Sequence, residues 1–159
     1  RRRSGSGRRR RDGQRRPARP RPSPRPAMTD VASKKEGGKV LMVSSVDEEH
    51  PGDNAIEGNE DSYWISTGCY PQELLLQLGK PSDISLIKLA TTNVRSVRLE
   101  GCSEDRPVNF HVLAEGELEE KGGGLQTRDF RVDTDGSGPA TFVKVLIVSG
   151  WHDFCTVHR

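Results

Sequence analysis

The sequence has no long apolar run. No segment approaches the ~20 apolar residues that a membrane-spanning helix needs, and no apolar secretory segment is present. Aromatic residues make up only 5% of the chain, and no segment shows a sustained 3.6-residue period. The sequence therefore predicts a chain with little helix that neither spans a membrane nor enters the secretory route.

Cysteine is scarce, and the three present have no metal-ligand spacing such as Cys-x-x-Cys. They are Cys69, Cys102 and Cys155. An odd number of widely spaced cysteines favours free thiols in a reducing compartment. We therefore expect a cytoplasmic protein without disulfides.

Catalytic motifs are missing as well. The four histidines are scattered, and neither a His-Glu-x-x-His nor a Gly-x-Ser-x-Gly motif occurs. Gly122–Gly124 is a glycine run, but the Lys-Ser/Thr pair of a phosphate loop does not follow it. The sequence predicts a protein that is not an enzyme.

Excess positive charge is confined to the first residues. Residues 1–27 contain twelve arginines and one acid, a net charge of +11, whereas residues 28–159 carry −9. So few apolar residues cannot offset the entropy of ordering, and residues 1–38 are predicted to be a disordered leader. Two interpretations of residues 1–27 stay open: a basic arm for nucleic acid or an acidic membrane, or translated upstream sequence, since the first methionine is Met28.

Residues 39–159 consist of short runs of β-forming residues separated by Gly, Pro and Asp. Val94–Gly101 alternates, which places Arg95, Val97 and Leu99 on one face. Val145–Val148 is apolar throughout, as in a central strand buried on both faces. We predict one all-β domain, an antiparallel β-sandwich of the jelly-roll kind. The predicted strands are Lys39–Ser45, Tyr63–Ser66, Glu73–Gly79, Ile84–Thr92, Val94–Gly101, Phe110–Glu115, Leu125–Val132, Ala140–Ser149 and Phe154–His158, the last expected to be cut short because the chain stops at Arg159.

The loop of residues 50–62 is dense in Gly, Asn and Asp, which tolerate turn geometry. Asn54, Glu57, Asn59 and Ser62 bring side-chain oxygens close together in sequence. Hard cations such as calcium take about six to eight oxygens of this kind. The loop then runs into Trp64, which we expect to anchor it in the core.

The pattern Asn-Ala-Ile-Glu-Gly-Asn-x-x-Ser-Tyr-Trp at residues 54–64 resembles a loop of discoidin domains, which have the galactose-binding-like jelly roll. Together with segments 44–51, 67–73 and 147–158, it is similar to one cytosolic branch of that fold family. This branch is the intraflagellar transport protein twenty-five family, also described as small heat-shock-like. The resemblance covers residues 39–159 and implies a discoidin-like jelly roll there, without the disulfide of most secreted discoidin domains.

The resemblance also implies a structural calcium ion in the loop. The matching ligand positions are Asn54, Glu57 and Ser62, with backbone oxygens from Gly58 and Asn59. Glu57 stands where the family pattern has Asp, and Ser62 where it has Thr. A metal-free turn built on Asx hydrogen bonds stays open as the alternative.

Tyr70, Trp151 and Phe154 are candidate interface residues, because aromatic side chains are enriched at protein interfaces. Packing in the core beneath a loop is the alternative for each. The interface interpretation is important because the sequence contains no group of catalytic residues through which the domain could otherwise act.

The resemblance implies a non-enzymatic adaptor of the intraflagellar transport B complex, in the cytoplasm and cilium. It further implies a heterodimer with a Rab-like small GTPase, intraflagellar transport protein twenty-seven, that serves ciliary cargo including Hedgehog signalling components. Two other classes stay open. One is a discoidin-like carbohydrate- or lipid-binding module, although the net negative charge of residues 28–159 and the lack of a disulfide argue against it. The other is a small heat-shock chaperone.

Overall fold

The structure is a computed structural model that describes residues 28–133 and 138–159. Within these ranges the chain forms nine strands and two short 3-10 helices, Lys34–Glu36 and Gly52–Ile56. Each predicted strand has a counterpart, with shifted ends. The strands are β1 (Lys39–Val43), β2 (Trp64–Ile65), β3 (Gln72–Ser82), β4 (Leu86–Thr92), β5 (Val94–Cys102), β6 (His111–Glu117), β7 (Gln126–Arg131), β8 (Ala140–Gly150) and β9 (Thr156–Val157).

The strands form two sheets that pack face to face. The five-stranded sheet has the order β1-β3-β8-β5-β6, and the four-stranded sheet has the order β2-β9-β4-β7. All the strand pairs are antiparallel. The predicted fold class, an antiparallel jelly-roll β-sandwich, is confirmed, and β8 lies at the centre of its sheet as its apolar composition predicted.

Alternating side chains of the two sheets fill the space between them. Trp64, Leu74, Leu99 and Ile147 are at most 1% exposed. Complete burial of a large apolar side chain contributes ~1.5–3 kcal/mol relative to exposure. The alternation of apolar and polar residues along β3 and β5 accounts for the burial of Leu74 and Leu99, and Trp64 is buried as the anchor of its loop.

Two predicted strand faces are wrong, and both errors have a physical cause. Arg95 is exposed and does not share the buried face of Val97 and Leu99, because the register between β5 and β8 shifts on either side of Ser96. Val148 is 44% exposed, so β8 is not buried on both faces. Only one face of the five-stranded sheet meets the other sheet, and the other face is open to solvent.

Residues 28–38 correct the predicted disordered leader. Val31 and Ala32 pack against a buried apolar cluster, and the 3-10 helix Lys34–Glu36 ends at Gly37, whose φ is 90°. The sequence shows too few apolar residues here to reveal this, because their packing partners come from distant strands. Residues 1–27 of the predicted leader lie outside the described residues.

No helix in the described part of the chain is long and apolar enough to cross a membrane.

Candidate functional site

The loop predicted to bind calcium is fixed to the sheets at both ends. Its first part is the 3-10 helix Gly52–Ile56, in which Ala55 and Ile56 are buried. A Cβ on Gly52 would lie 2.6 Å from a methyl carbon of Val43, so only glycine allows the helix to approach β1 this closely.

The far end of the loop is held by Trp64, as the sequence predicted. The indole is fully buried, and its Nε1–H donates a hydrogen bond of 3.0 Å to the Ser45 carbonyl oxygen. The side-chain amide of Asn54 donates across the loop to the Tyr63 carbonyl oxygen at 3.0 Å. Core packing and these two hydrogen bonds therefore set the shape of the loop.

Three of the predicted calcium-site residues converge. The Ser62 hydroxyl lies 3.1 Å from Glu57 Oε2 and 2.7 Å from Asn59 Oδ1. Asn54 is linked to Tyr63 instead, and Gly58 sits at the turn with a φ of 82°. We expected a backbone oxygen from Asn59, whereas the structure directs its side-chain oxygen toward Ser62.

The donor set fits a hard cation in chemistry, because a carboxylate, an amide oxygen and a hydroxyl oxygen meet at one place. The same oxygens also make contacts within the protein. Asn59 Oδ1 accepts hydrogen bonds from the backbone N–H groups of Asp61 and Ser62, at 3.0 and 2.7 Å, and Glu57 Oε1 lies 3.8 Å from the Lys34 ammonium. The described residues contain no cluster of three His, Cys, Asp or Glu side chains arranged for a metal. Calcium therefore stays a proposal.

The aromatic turn, residues 150–154, projects from the end of β8. Trp151 is 37% exposed and Phe154 is 51% exposed, so neither is a core residue. The Trp151 indole N–H donates to the Leu118 carbonyl oxygen at 3.0 Å, and the Arg95 guanidinium lies 5.0 Å from the indole ring centre. The turn thus presents two aromatic side chains, one of them held in a fixed orientation.

Tyr70, the third candidate interface residue, lies between the core and the aromatic turn and contacts the turn. Its ring is partly buried against the core, and its hydroxyl donates a hydrogen bond of 2.9 Å to the His152 carbonyl oxygen. Burial raises the pKa of Tyr70, and the neighbouring Cys155 thiol adds to the increase. Tyr70 therefore holds the aromatic turn in place. Its own ring is less exposed than the two aromatic side chains of the turn.

Sequence reasoning missed two partners of the turn, Arg95 and Leu118. Both lie far from residues 150–154 in sequence. They reach Trp151 because β5, which carries Arg95, pairs with the end of β8 and also with β6, which Leu118 follows. No motif marks either residue, so strand pairing alone brings them to the site.

All three cysteines are free thiols. Cys69 is exposed, whereas Cys102 and Cys155 are buried. Burial raises the pKa of the Cys155 thiol, which outweighs the hydrogen bonds with Ser66 and Tyr70 that lower it. A buried thiol with a raised pKa is a poor nucleophile.

The two-sheet architecture is a jelly-roll β-sandwich, a fold that solved domains of low sequence identity share. A family 32 carbohydrate-binding module of C. perfringens NanJ, solved with galactose, has a TM-score of 0.63 and 19% identity, and the match covers 78% of this chain and 91% of that one. Reduced XRCC1, solved with the DNA polymerase beta catalytic domain, has a TM-score of 0.61 and 15% identity. The match covers 75% of this chain and 93% of that one. At such identities the likeness concerns the fold alone.

Similarity of sequence identifies the relatives of this chain much more specifically than similarity of fold does. The chain is 35% identical to intraflagellar transport protein 25 of Chlamydomonas reinhardtii over 132 residues, which are 83% of this chain and 68% of that protein. It is also 35% identical to the Mus musculus homologue over 129 residues, 81% of this chain and 88% of that one. No protein-family model matches the chain. The chain belongs to the intraflagellar transport protein 25 family.

Proposed function

We propose that the protein is a non-enzymatic adaptor of the intraflagellar transport B complex that acts in the cytoplasm and cilium. Its partner is a Rab-like small GTPase, intraflagellar transport protein twenty-seven, bound as a one-to-one heterodimer. The complex serves ciliary cargo, including Hedgehog signalling components. The names of the relatives support the transport role, and the resemblance of the sequence motifs supplies the partner.

The observation that carries the proposal is the exposed aromatic turn. Aromatic side chains are enriched among residues that dominate binding energy. A surface Trp held by one hydrogen bond and one cation–π contact loses little further freedom when a partner covers it. The turn borders a shallow depression lined also by Asn93, Gly122 and Gly123, which gives a partner side chain room to insert.

Co-expression with the GTPase tests this function. We expect the two chains to co-elute from gel filtration as a one-to-one complex at micromolar concentration. Separate elution at that concentration would contradict the proposal. A stable complex of this kind buries ~2,000 Å² or more in total, so most of the binding surface would lie outside the turn.

A carbohydrate-binding role is the rival outcome. The fold neighbours include modules solved with sugars, and a glycan array distinguishes the two roles. Strong glycan binding by the isolated chain, with no GTPase complex, would favour that rival.

We further propose calcium as a structural ion of the 54–62 loop. Glu57, Ser62 and Asn59 supply side-chain oxygens that already converge, and Asn54 and Gly58 lie in the same loop. An ion there would stabilise the loop and take no part in a reaction.

A further inference from the structure

A cavity of about 310 Å³ lies between the two sheets. Leu76, Leu78 and Val143 of the five-stranded sheet form one wall, and Leu86 and Ile87 form part of the other. Small-molecule sites in proteins have volumes of ~300–1,000 Å³. Engineered apolar cavities of only ~150 Å³ stay dry and bind small apolar molecules. The walls of this cavity therefore suit an apolar occupant.

The mouth of the cavity is covered by a strap, residues 28–33. The strap is joined to the end of the chain by an ion pair between Asp30 and Arg159, 3.2 Å apart, whose side chains are 37% and 43% exposed. Exposed ion pairs contribute little to stability. The strap packs against the buried apolar cluster through Val31 and Ala32. The strap is thus among the weakly held segments that open locally.

The charges around the cavity favour an anionic ligand. Among the residues that line it, Lys88 and Arg159 are cationic and Asp30 is the one acid. Lys88 pairs with Asp129 at 3.7 Å, so Arg159 is the cation available to a ligand at the mouth. A ligand carboxylate at the mouth would replace Asp30 as the partner of Arg159 and form a charge-assisted hydrogen bond. The same exchange would release the strap, so binding and opening would be coupled.

From the apolar walls, the weakly held strap and the cationic mouth, we propose that the space between the sheets binds a single-chain acyl carboxylate. The chain lies between Leu76, Val143 and Ile87, and the carboxylate pairs with Arg159. This site is separate from the aromatic turn, and the proposal does not depend on the GTPase partner.

Calorimetric titration of the full chain with three ten-carbon probes tests the proposal, with the two ionic probes below their critical micelle concentrations and the alcohol below its solubility limit. The probes are decanoate, decanol and decyltrimethylammonium. We expect saturable one-to-one binding of decanoate, weaker binding of decanol, and no saturable binding of the cationic probe. Arg159→Gln should weaken decanoate about two- to fivefold, the order expected for an exposed ion pair, and leave decanol unchanged. Arg98→Gln is the matched control, because Arg98 also pairs with a carboxylate at 3.2 Å and is 45% exposed. Arg98 lies on the solvent-facing side of the five-stranded sheet, away from the cavity.

Val143→Phe should fill the cavity and abolish binding of both decanoate and decanol. Val148→Phe is its control, because Val148 lies on the same strand and points to solvent. Methyl NMR spectra of the unmodified chain give a second test that holds even if Val143→Phe does not fold. Decanoate should shift the methyl signals of Val143 and Ile87 and leave those of Val148 in place. Absence of saturable binding, equal binding of all three probes, or shifts confined to exposed methyl groups would overturn the proposal.

Discussion

The Tyr70 hydroxyl donates a hydrogen bond of 2.9 Å to the carbonyl oxygen of His152, 82 positions further along the chain. This bond joins the segment before β3 to the aromatic turn after β8. A Cβ on Gly150 would overlap the Tyr70 hydroxyl, so the two segments meet where only glycine fits. Tyr70 and Gly150 therefore set the position of Trp151 and Phe154.

Gly150→Ala is expected to displace the Tyr70 ring and lower the free energy of unfolding by ~1–3 kcal/mol, the usual cost of overpacking. Urea denaturation measures this. Gly68→Ala is the matched control, because a Cβ there would make an ordinary contact of 3.6 Å with Gln72. Equal stability of the two variants would contradict the predicted clash.

Trp151→Ala and Phe154→Ala should each weaken binding of the GTPase by ~2 kcal/mol or more. Both side chains are exposed, so the melting temperature of the isolated chain should fall only slightly, and more for Trp151, whose hydrogen bond to Leu118 is also lost. Affinity measured by calorimetry and a thermal scan of each variant separate the two effects. Val148→Ala, an equally exposed apolar side chain on the open sheet face, is the control and should bind normally if the turn is the anchor.

Calcium at millimolar concentration should raise the melting temperature relative to chelator, because an ion that binds only the folded chain stabilises it by mass action. Glu57→Gln should abolish the increase, since Glu57 supplies the carboxylate that lies against Ser62. Glu60→Gln, an exposed carboxylate of the same loop, should retain it. Identical curves with calcium and chelator would favour the metal-free turn, whose Asx hydrogen bonds are already complete.

Removing residues 1–38 should destabilise the domain, whereas removing residues 1–27 should leave the melting temperature unchanged. The longer deletion takes away Val31 and Ala32, which cover a buried cluster, and the Asp30–Arg159 ion pair. Differential scanning calorimetry of both deletions compares them directly. A loss of several degrees on removal of residues 1–27 alone would show that the shorter segment also contributes to stability.

Cys69 should react with a thiol reagent in the folded chain, while Cys102 and Cys155 should react only after unfolding. Cys69 is exposed and the other two are 0% exposed. Stopped-flow titration with a chromogenic disulfide should give one fast thiol per chain, and Cys69→Ser should remove it. Fast reaction of two or more thiols in the native state would be incompatible with this burial.

The raised pKa of Cys155 also predicts how stability depends on pH. Its folded pKa lies above its ordinary value of 9.0, so the folded state binds the proton more tightly than the unfolded state. This contribution to stability is complete below about pH 9 and is lost as the pH rises through the folded pKa. Denaturation midpoints measured between pH 8 and 11, with Cys155→Ser as the reference, show the slope.

The alternation of apolar residues predicted the strands and most buried faces, because side chains on successive strand positions point to opposite sides of a sheet. The exceptions, Arg95 and Val148, follow from a register shift and from the open face of the five-stranded sheet. Neither exception can be predicted from the sequence of one strand, because each depends on which strands and sheets lie beside that strand.

The all-β class, the Trp64 anchor, the oxygen-rich loop and the family can be predicted from the sequence, because each depends on local composition or on motifs along the chain. Three features cannot be predicted in this way: the surface position of Trp151 and Phe154, the role of Tyr70 in ordering their turn, and the cavity between the sheets that residues 28–33 cover. These features depend on contacts between residues far apart in sequence. Such contacts arise when the two sheets pack, and no local pattern encodes them.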